Sequence, residues 1–446
     1  MVVINNTVWN ELIRDAEAME RSPRLAAAWC ARLGELAPWW LSAKTIEQAA
    51  EYTGTRLRHD QAPVLGRCAV LIVSTGETPH AVALPLRWKA DTTDDPRLPA
   101  RLCSLADRVR IQLTLPTWGL HLDLPHTDLS GFTALSFDSG WAPLAIGLSL
   151  AGQAIKSNPK SWATGAWNNR TGGVDQVDRL EAKLHRAHEL SANSFIVPPA
   201  NANPARQFSA RMTPSPEVVV LDASQQVSNA LKPALVHAGV APTLDEPLEE
   251  RLAYRHFILD RSRNNEYYAK VLCPTLADLV RERSARPEVP NKFDLLVTFG
   301  SANTDQIALA SRTYQVRNVV ILHTKEYRRQ CEQAAQWLQE IQINAELVTF
   351  AKKTSYSETY DELKAHLQPQ LRKVQEPNQL VFDLTPGQRP MAASLEDLAP
   401  VGSWLIYLHH HYDQQNRPSP GEDHYECWRK TAERRFAPLH LDGFGS

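Results

Sequence analysis

At 446 residues the chain is long enough for two to four domains with sizeable cores. Its 48 basic and 50 acidic side chains nearly cancel, leaving a net charge of −2 and excluding a global electrostatic pull on nucleic-acid duplexes or anionic membranes. Thirty prolines and 19 glycines exclude a long coiled coil.

The six cysteines, Cys30, Cys68, Cys103, Cys273, Cys331 and Cys427, are scattered without a Cys-x-x-Cys pair. That pattern indicates neither a zinc site nor a disulfide framework and fits buried thiols in a reducing compartment. No apolar run reaches the length of a membrane span, and MVVINNTVWNELIRDAEAMERS lacks the basic-then-apolar pattern of a signal peptide. The expected location is cytoplasmic.

Residues 1 to about 60 predict helices, with Trp9, Leu12, Ile13 and Ala16 on one stripe and Trp29, Trp39 and Trp40 in a second segment. Core packing is the expected role of these tryptophans. From Gly66 the pattern turns to β. Cys68 to Val73, His80 to Leu86, Val109 to Leu115 and Leu120 to Leu124 predict strands, with a short helix near Leu98 to Ala106.

Residues 137–199 organise the first half: FDSGWAPLAIGLSLAGQAIKSNPKSWATGAWNNRTGGVDQVDRLEAKLHRAHELSANSFIVPP. Ser139 stands at the start of an apolar helix from Ala142 to Ile155, and Lys183 lies inside an amphipathic helix, with a glycine-bearing β segment between them. A serine hydroxyl is a poor nucleophile until a base takes its proton, and a lysine is that base only when burial lowers its pKa. Leu180 and Ala187 share the face of Lys183 and Leu184 flanks it, so partial burial is expected. The pair has the layout of a Ser-Lys dyad. The same residues also fit a helix N-cap at Ser139 and a snorkelling Lys183.

This stretch resembles the proteolytic domain of Lon proteases. Thr164-Gly165 matches the family's Thr-Gly, Leu180-Glu181-Ala182-Lys183 its Leu-x-x-Lys helix, Ser194 to Pro198 its "TVIIP" strand, and Asp138-Ser139 the Asp-Ser pair of one subgroup. Gly140-Trp141, Ala166 and Asp178-Arg179 depart from the family's pattern, and one residue is inserted between Asn168 and Thr171. The resemblance implies a serine endopeptidase with catalytic Ser139 and Lys183, no catalytic cofactor, and a Thr164 hydroxyl that orients the lysine amine.

After Pro199 come a strand at Val218 to Leu221 and a helix from Ser224 to Ala238, closing a first domain, residues 1–240. Residues 241–291 predict a charged, solvated connector. Residues 292–446 form a second domain, which opens on the strand Phe293 to Phe299. Strict alternation follows: helix Gln306 to Tyr314, strand Val319 to His323, helix Lys325 to Glu340, strand Ala345 to Phe350, helix Thr359 to Val374 and strand Leu380 to Leu384. Such alternation predicts a parallel sheet that binds ligands at the carboxyl ends of its strands. The candidate ligand-binding residues in those loops are Gly300, Ser301, Asn303, Thr304, Thr324, Lys325, Thr385, Pro386, Gly387, Gln388 and Arg389. Helix N-termini with hydroxyl, amide and cationic side chains suit phosphates and ribose edges.

The second domain resembles CARF domains, the Rossmann-like sensors of cyclic oligoadenylates in type III CRISPR defence. The residues that carry this are Asp383-Leu384-Thr385-Pro386-Gly387-Gln388-Arg389 and Phe299-Gly300-Ser301, with Pro386 and Arg389 as departures. The resemblance implies a cyclic oligoadenylate as activating ligand and a homodimer through this domain. His409, His410 and His411 alternate in direction on a strand and cannot share one ion, so no metal site is expected.

The expected fold class is α/β and α+β: an N-terminal Lon-like proteolytic domain plus a C-terminal Rossmann-like CARF domain with a parallel sheet. No G-x-x-x-x-G-K-[ST] occurs, so the expected activity is ATP-independent. The implied substrate is a specific partner protein in CRISPR antiviral signalling, of the toxin-antitoxin or anti-sigma class, with no nucleic-acid duplex and no membrane as partners. The alternatives are a non-enzymatic sensor or scaffold and a nucleic-acid effector; no basic stripe or helix-turn-helix signal supports the latter.

Overall fold

The computed structural model describes residues 36–37, 39–54, 58–59, 62–73, 79, 81–123, 128–132, 136–302, 304–351, 356–372, 374, 376–386, 389–411 and 422–431. The helices expected before residue 36 lie outside these residues. The protein is mixed α/β and divides into two compact units, Met1–Leu259 and Asp260–Ser446.

In the first unit, α1 (Ala43–Thr53) begins at Ser42, whose Oγ accepts from the Thr45 amide at 3.2 Å. An antiparallel sheet follows, ordered β1 (Arg67–Val73), β2 (Ala81–Lys89), β3 (Gly119–Leu122). Between β2 and β3 runs α2 (Ala100–Leu113). The strand expected at Val109 to Leu115 is therefore a correction: most of it is the last part of this helix. Leu102, Leu105, Ala106 and Val109 are buried at helical spacing while Ile111 is 76% exposed, a pattern that a period of two does not give.

Helix α3 (Trp141–Gly152) is apolar all round and buried against β1 and β2, and the Trp88 indole N–H donates to the Leu144 carbonyl at 3.0 Å. Leu144, Leu148 and Leu150 are fully buried, each worth roughly 1.5–3 kcal/mol of hydrophobic stabilisation. The chain then makes β4 (Ser161–Ala163), the antiparallel hairpin β5 (Ala166–Asn168) and β6 (Gly173–Asp175), and α4 (Leu180–Glu189). It continues through β7 (Ser194–Val197), α5 (Ala202–Ser209), β8 (Glu217–Val220), α6 (Val227–Ala238) and α7 (Leu248–Arg255). Strands β8, β7 and β4 lie side by side in a parallel sheet. One core joins Trp39, Trp40, Leu71, Trp162, Leu184 and Phe195, so these two tryptophans serve packing.

The second unit starts with α8 (Arg261–Tyr267), a π-helical turn at Tyr268–Leu272 and α9 (Cys273–Ser284). Its sheet consists of β9 (Leu295–Phe299), β10 (Asn318–His323), β11 (Asn344–Thr349), β12 (Leu380–Asp383), β13 (Trp404–His409) and β14 (His424–Arg429). The spatial order is β11-β10-β9-β12-β13-β14, parallel except for β14. The connecting helices are α10 (Asp305–Thr313), α11 (Arg328–Glu340), α12 (Tyr356–Leu371) and α13 (Arg389–Leu398).

Residues 241–291 differ from the solvated connector expected of them. Helix α7 belongs to the first unit, where the Tyr254 hydroxyl donates to the Val236 carbonyl at 3.3 Å. Helix α9 belongs to the second unit and buries Cys273, Leu276, Ala277 and Val280. Arg281 donates to the carbonyls of Thr313 (2.8 Å) and Arg312 (2.6 Å), capping the end of α10, and the Ser284 hydroxyl accepts from the Tyr425 amide at 2.7 Å. The charged residues form only the outer face of a helix whose apolar stripe is core. Among the described residues no helix is long and apolar enough to cross a membrane.

Candidate functional site

Ser139 is half-buried in the turn that leads into α3. Its carbonyl accepts from the Gly165 amide at 2.9 Å and from the Thr164 hydroxyl at 3.4 Å, while the Gly165 carbonyl accepts from the Ala142 amide at 3.0 Å. Gly140 and Gly165 form a parallel bridge. A Cβ on Gly165 would stand 2.9 Å from Ala142 Cβ, and one on Gly140 would stand 2.8 Å from Val70 Cγ2 and 2.9 Å from the Phe137 carbonyl. Two side-chain-free residues thus let the Thr-Gly segment and the Ser139 turn pack main chain against main chain.

Thr164 is 1% exposed and continues β4, its amide donating to the Ile196 carbonyl of β7 at 3.0 Å. Lys183 is 4% exposed on the inner face of α4, and its Nζ donates to Thr164 Oγ1 at 3.3 Å. Desolvation lowers the Lys183 pKa from 10.5 to about 8, against the opposing pull of the Asp178 carboxylate. Lys183 is thus buried, more fully than the partial burial expected, and the alternative of a side chain snorkelling to water does not hold. Lys183 and Ser139 are joined through Thr164, which takes the amine on one side and reaches the Ser139 carbonyl on the other; the Ser139 hydroxyl makes no direct bond to the amine. The Ser139 side chain does not cap α3, whose N-cap is Gly140 without a side-chain bond.

A cleft of about 460 Å³ opens beside this turn, with Arg108, Gln112, Trp141, Trp167, Asn169 and Asp175 among its lining residues. Trp141 and Trp167 lie with ring centroids 4.9 Å apart, and the Trp141 indole N–H donates to Gln112 Oε1 at 2.7 Å. Gln112 Nε2 in turn donates to Asn169 Oδ1 at 3.3 Å. The two departures at Trp141 and Ala166 therefore shape this cleft, which also touches Asp138, paired with Arg108 at 3.5 Å.

In the second unit the chain leaves β9 for β10 on one side and returns to β12 on the other, so the carboxyl ends of β9 and β12 mark the point where strand order reverses. The loops after β9, β10 and β12 gather at that end of the sheet. Thr304, 1% exposed, precedes α10 with its hydroxyl unpartnered, and the Thr324 hydroxyl is likewise buried and unpartnered. Lys325 and Arg389 are exposed, Ser301 is half-buried and Pro386 is buried. Asn303, Gly387 and Gln388 lie outside the described residues.

Two candidate ligand residues have other duties. A Cβ on Gly300 would overlap the Cys331 Sγ of α11, so that glycine serves packing. The Thr385 hydroxyl accepts from the Leu408 amide at 2.8 Å and the Thr385 amide donates to Asp383 Oδ1 at 2.9 Å, so the residue fastens its own loop.

Asp383 itself was not among the candidates. It is fully buried, accepts from Thr298 Oγ1 at 3.2 Å, and burial pushes its carboxyl up to about 6. A single charge at the end of the apolar run Leu380–Phe382 was the available signal. His323 was also missed; it is 1% exposed, with Nδ1 3.0 Å from the Thr324 carbonyl and Nε2 3.3 Å from Thr349 Oγ1. His409, His410 and His411 each pair with a carboxylate, Glu426 (3.0 Å), Asp423 (3.3 Å) and Glu422 (3.4 Å), and the hydrogen bond to Asp423 raises the pKa of His410. No family model matches the chain, and no curated protein matches it.

Proposed function

We propose that the first unit is a Lon-like Ser-Lys endopeptidase and the second a Rossmann-like, CARF-like sensor of cyclic oligoadenylates. The protein is then an ATP-independent protease, switched on by a cyclic nucleotide, that cuts a particular partner protein of the toxin-antitoxin or anti-sigma class. The observation that carries this reading is the buried Lys183 amine held on the Thr164 hydroxyl, one side chain away from Ser139.

In this reading Ser139 Oγ attacks the scissile carbonyl while the neutral Lys183 amine takes its proton. The resulting ammonium returns that proton to the leaving amine, and a water activated by the same amine then releases the acyl group. Thr164 holds the amine so that its lone pair faces the serine. Catalytic hydrogen bonds commonly close only when substrate is bound, so the missing Ser139–Lys183 bond fits a resting enzyme.

The sensor reading is supported by the reversal of strand order, the unpartnered Thr304 and Thr324 hydroxyls, and the cations Lys325 and Arg389 at the same end of the sheet. A two-fold symmetric ring of nucleotides would be shared by two copies, making the protein a homodimer. Incubation with cyclic oligoadenylates of different ring size and with the products of neighbouring genes tests both halves. Ligand-dependent cleavage that disappears in Ser139→Ala and Lys183→Ala is the expected result. Cleavage surviving both substitutions removes the dyad. The rival reading, a binding scaffold, draws on the absent Ser139–Lys183 bond and predicts ligand-dependent capture of the partner without cleavage.

A further inference from the structure

We infer that Asn201, which touches neither Ser139 nor Lys183 through any hydrogen bond of its own, is the positioning residue that sets where the Lys183 amine lies. The inference rests on the peptidase reading of the Ser139–Thr164–Lys183 cluster. Asn201 is 2% exposed and ends the short turn Pro199–Asn201 that follows β7. Its Oδ1 accepts from the Val177 amide at 2.9 Å, and its Nδ2 donates to the Val177 carbonyl at 3.0 Å. One side-chain amide therefore saturates both main-chain groups of a buried residue that belongs to no strand.

Val177 is where this matters. Its side chain packs in the same core as Leu180 and Leu184, and α4 begins three residues further on. That helix has no side-chain N-cap and is entered through Arg179 in the left-handed region, at φ 54. Its own N-terminus supplies little to fix the position of its first turn. The fastening comes from outside, at Val177.

The other end of the link is β7, and β7 also fixes Thr164 through the Ile196 carbonyl. Asn201 thus closes a circuit: Thr164 to Ile196, along the chain to Asn201, across to Val177, along α4 to Lys183, and back to Thr164 through the 3.3 Å bond. Without the amide, the entry to α4 keeps only side-chain packing, such as that against β4 and β7, to set its register, with no main-chain fastening among the described residues. The charged group that bears on Lys183 from its own entry loop is Asp178.

The test uses the full chain, with Asn201→Ala and with the isosteric Asn201→Asp, which keeps the acceptor for the Val177 amide and loses the donor to its carbonyl. Competitive acetic anhydride labelling across pH, read by mass spectrometry, gives the Lys183 titration. Reaction with a fluorophosphonate gives the reactivity of Ser139, and thermal unfolding checks the fold. In folded Asn201→Ala the Lys183 midpoint should rise from about 8 towards the ordinary lysine value, and fluorophosphonate reaction at pH 7 should slow about tenfold or more. Asn201→Asp should lie between that variant and the parent. A parent-like Lys183 midpoint in folded Asn201→Ala overturns the inference. So does loss of the fold in both variants, since Asn201 would then hold up the domain rather than place the amine. Undiminished fluorophosphonate reaction in Lys183→Ala overturns the peptidase reading instead, and the Lys183 titration still decides the role of Asn201.

Discussion

At the residue scale the energetics centre on one buried amine. The folded Lys183 pKa of about 8 lies below the ordinary 10.5. Between those values the unfolded chain holds a proton that the folded chain has released, so stability rises with pH across this window, and below about 8 the fold carries the full cost. Lys183→Met should therefore stabilise the protein at pH 7 by roughly 2–3 kcal/mol, an advantage over the parent that fades towards pH 10.5. Thermal melts at pH 7 and 10 check this. Under the proposed peptidase reading, proteolysis should move the opposite way in the variant, to zero, and in the parent it should rise with pH through about 8 as the amine becomes a free base. A chemistry-limited rate that is flat from pH 6 to 10 counts against lysine as the base. Thr164→Ser keeps the bond to the amine and should retain most activity, whereas Thr164→Val should lose roughly 10²-fold or more. Lys183 was legible in the sequence because Leu180 and Ala187 share its helix face. Asn201 was not, because its partner Val177 is distant along the chain and neither residue type carries a chemical signal.

At the element scale, two glycines let helices and strands meet. Gly165→Ala would place a methyl group 2.9 Å from Ala142 Cβ, where neither atom can rotate away. The substitution should part β4 from α3, costing about 1–3 kcal/mol of stability and misaligning Thr164 with Ser139. Gly300→Ala meets the Cys331 thiol instead, and Cys331→Ala should restore part of what it loses, a coupling that a double-mutant cycle of melting curves would read. Legibility was uneven between the two units. In the second unit the stretch from β9 to β12 could be read element by element because fully buried parallel strands, such as Leu295–Phe299, are apolar throughout and helices separate them. In the first unit Val109 to Leu115 looked like a strand because Val109, Ile111, Leu113 and Leu115 alternate; only the burial of Leu102, Leu105 and Ala106 one and two turns earlier distinguishes the helix. The connector was misjudged for a related reason, its charges being more conspicuous than the stripe of Cys273, Leu276, Ala277 and Val280.

At the scale of the whole molecule, the boundary at residues 259 and 260 makes a prediction about fragments. Residues 260–446 should fold alone and show a cooperative melt, whereas residues 292–446 should not, because they lack the helix that covers β14 and supplies the Ser284 hydroxyl to the Tyr425 amide. Calorimetry on the two fragments checks this. Under the proposed sensor reading, Arg389→Ala, at the exposed start of α13, should weaken cyclic oligoadenylate binding about tenfold or more, as expected for a lost charge-assisted hydrogen bond, while leaving ligand-free cleavage unchanged. The tilted indole pair of Trp141 and Trp167, with planes 32° apart, bears on the same question. Chromophores at 4.9 Å couple their excited states and produce a paired positive and negative band in circular dichroism. Since both rings line the cleft beside the Ser139 turn, that couplet is a label-free optical gauge of the first unit. Under the proposed reading, a change in it on adding a nucleotide that binds the second unit would report coupling between the two units.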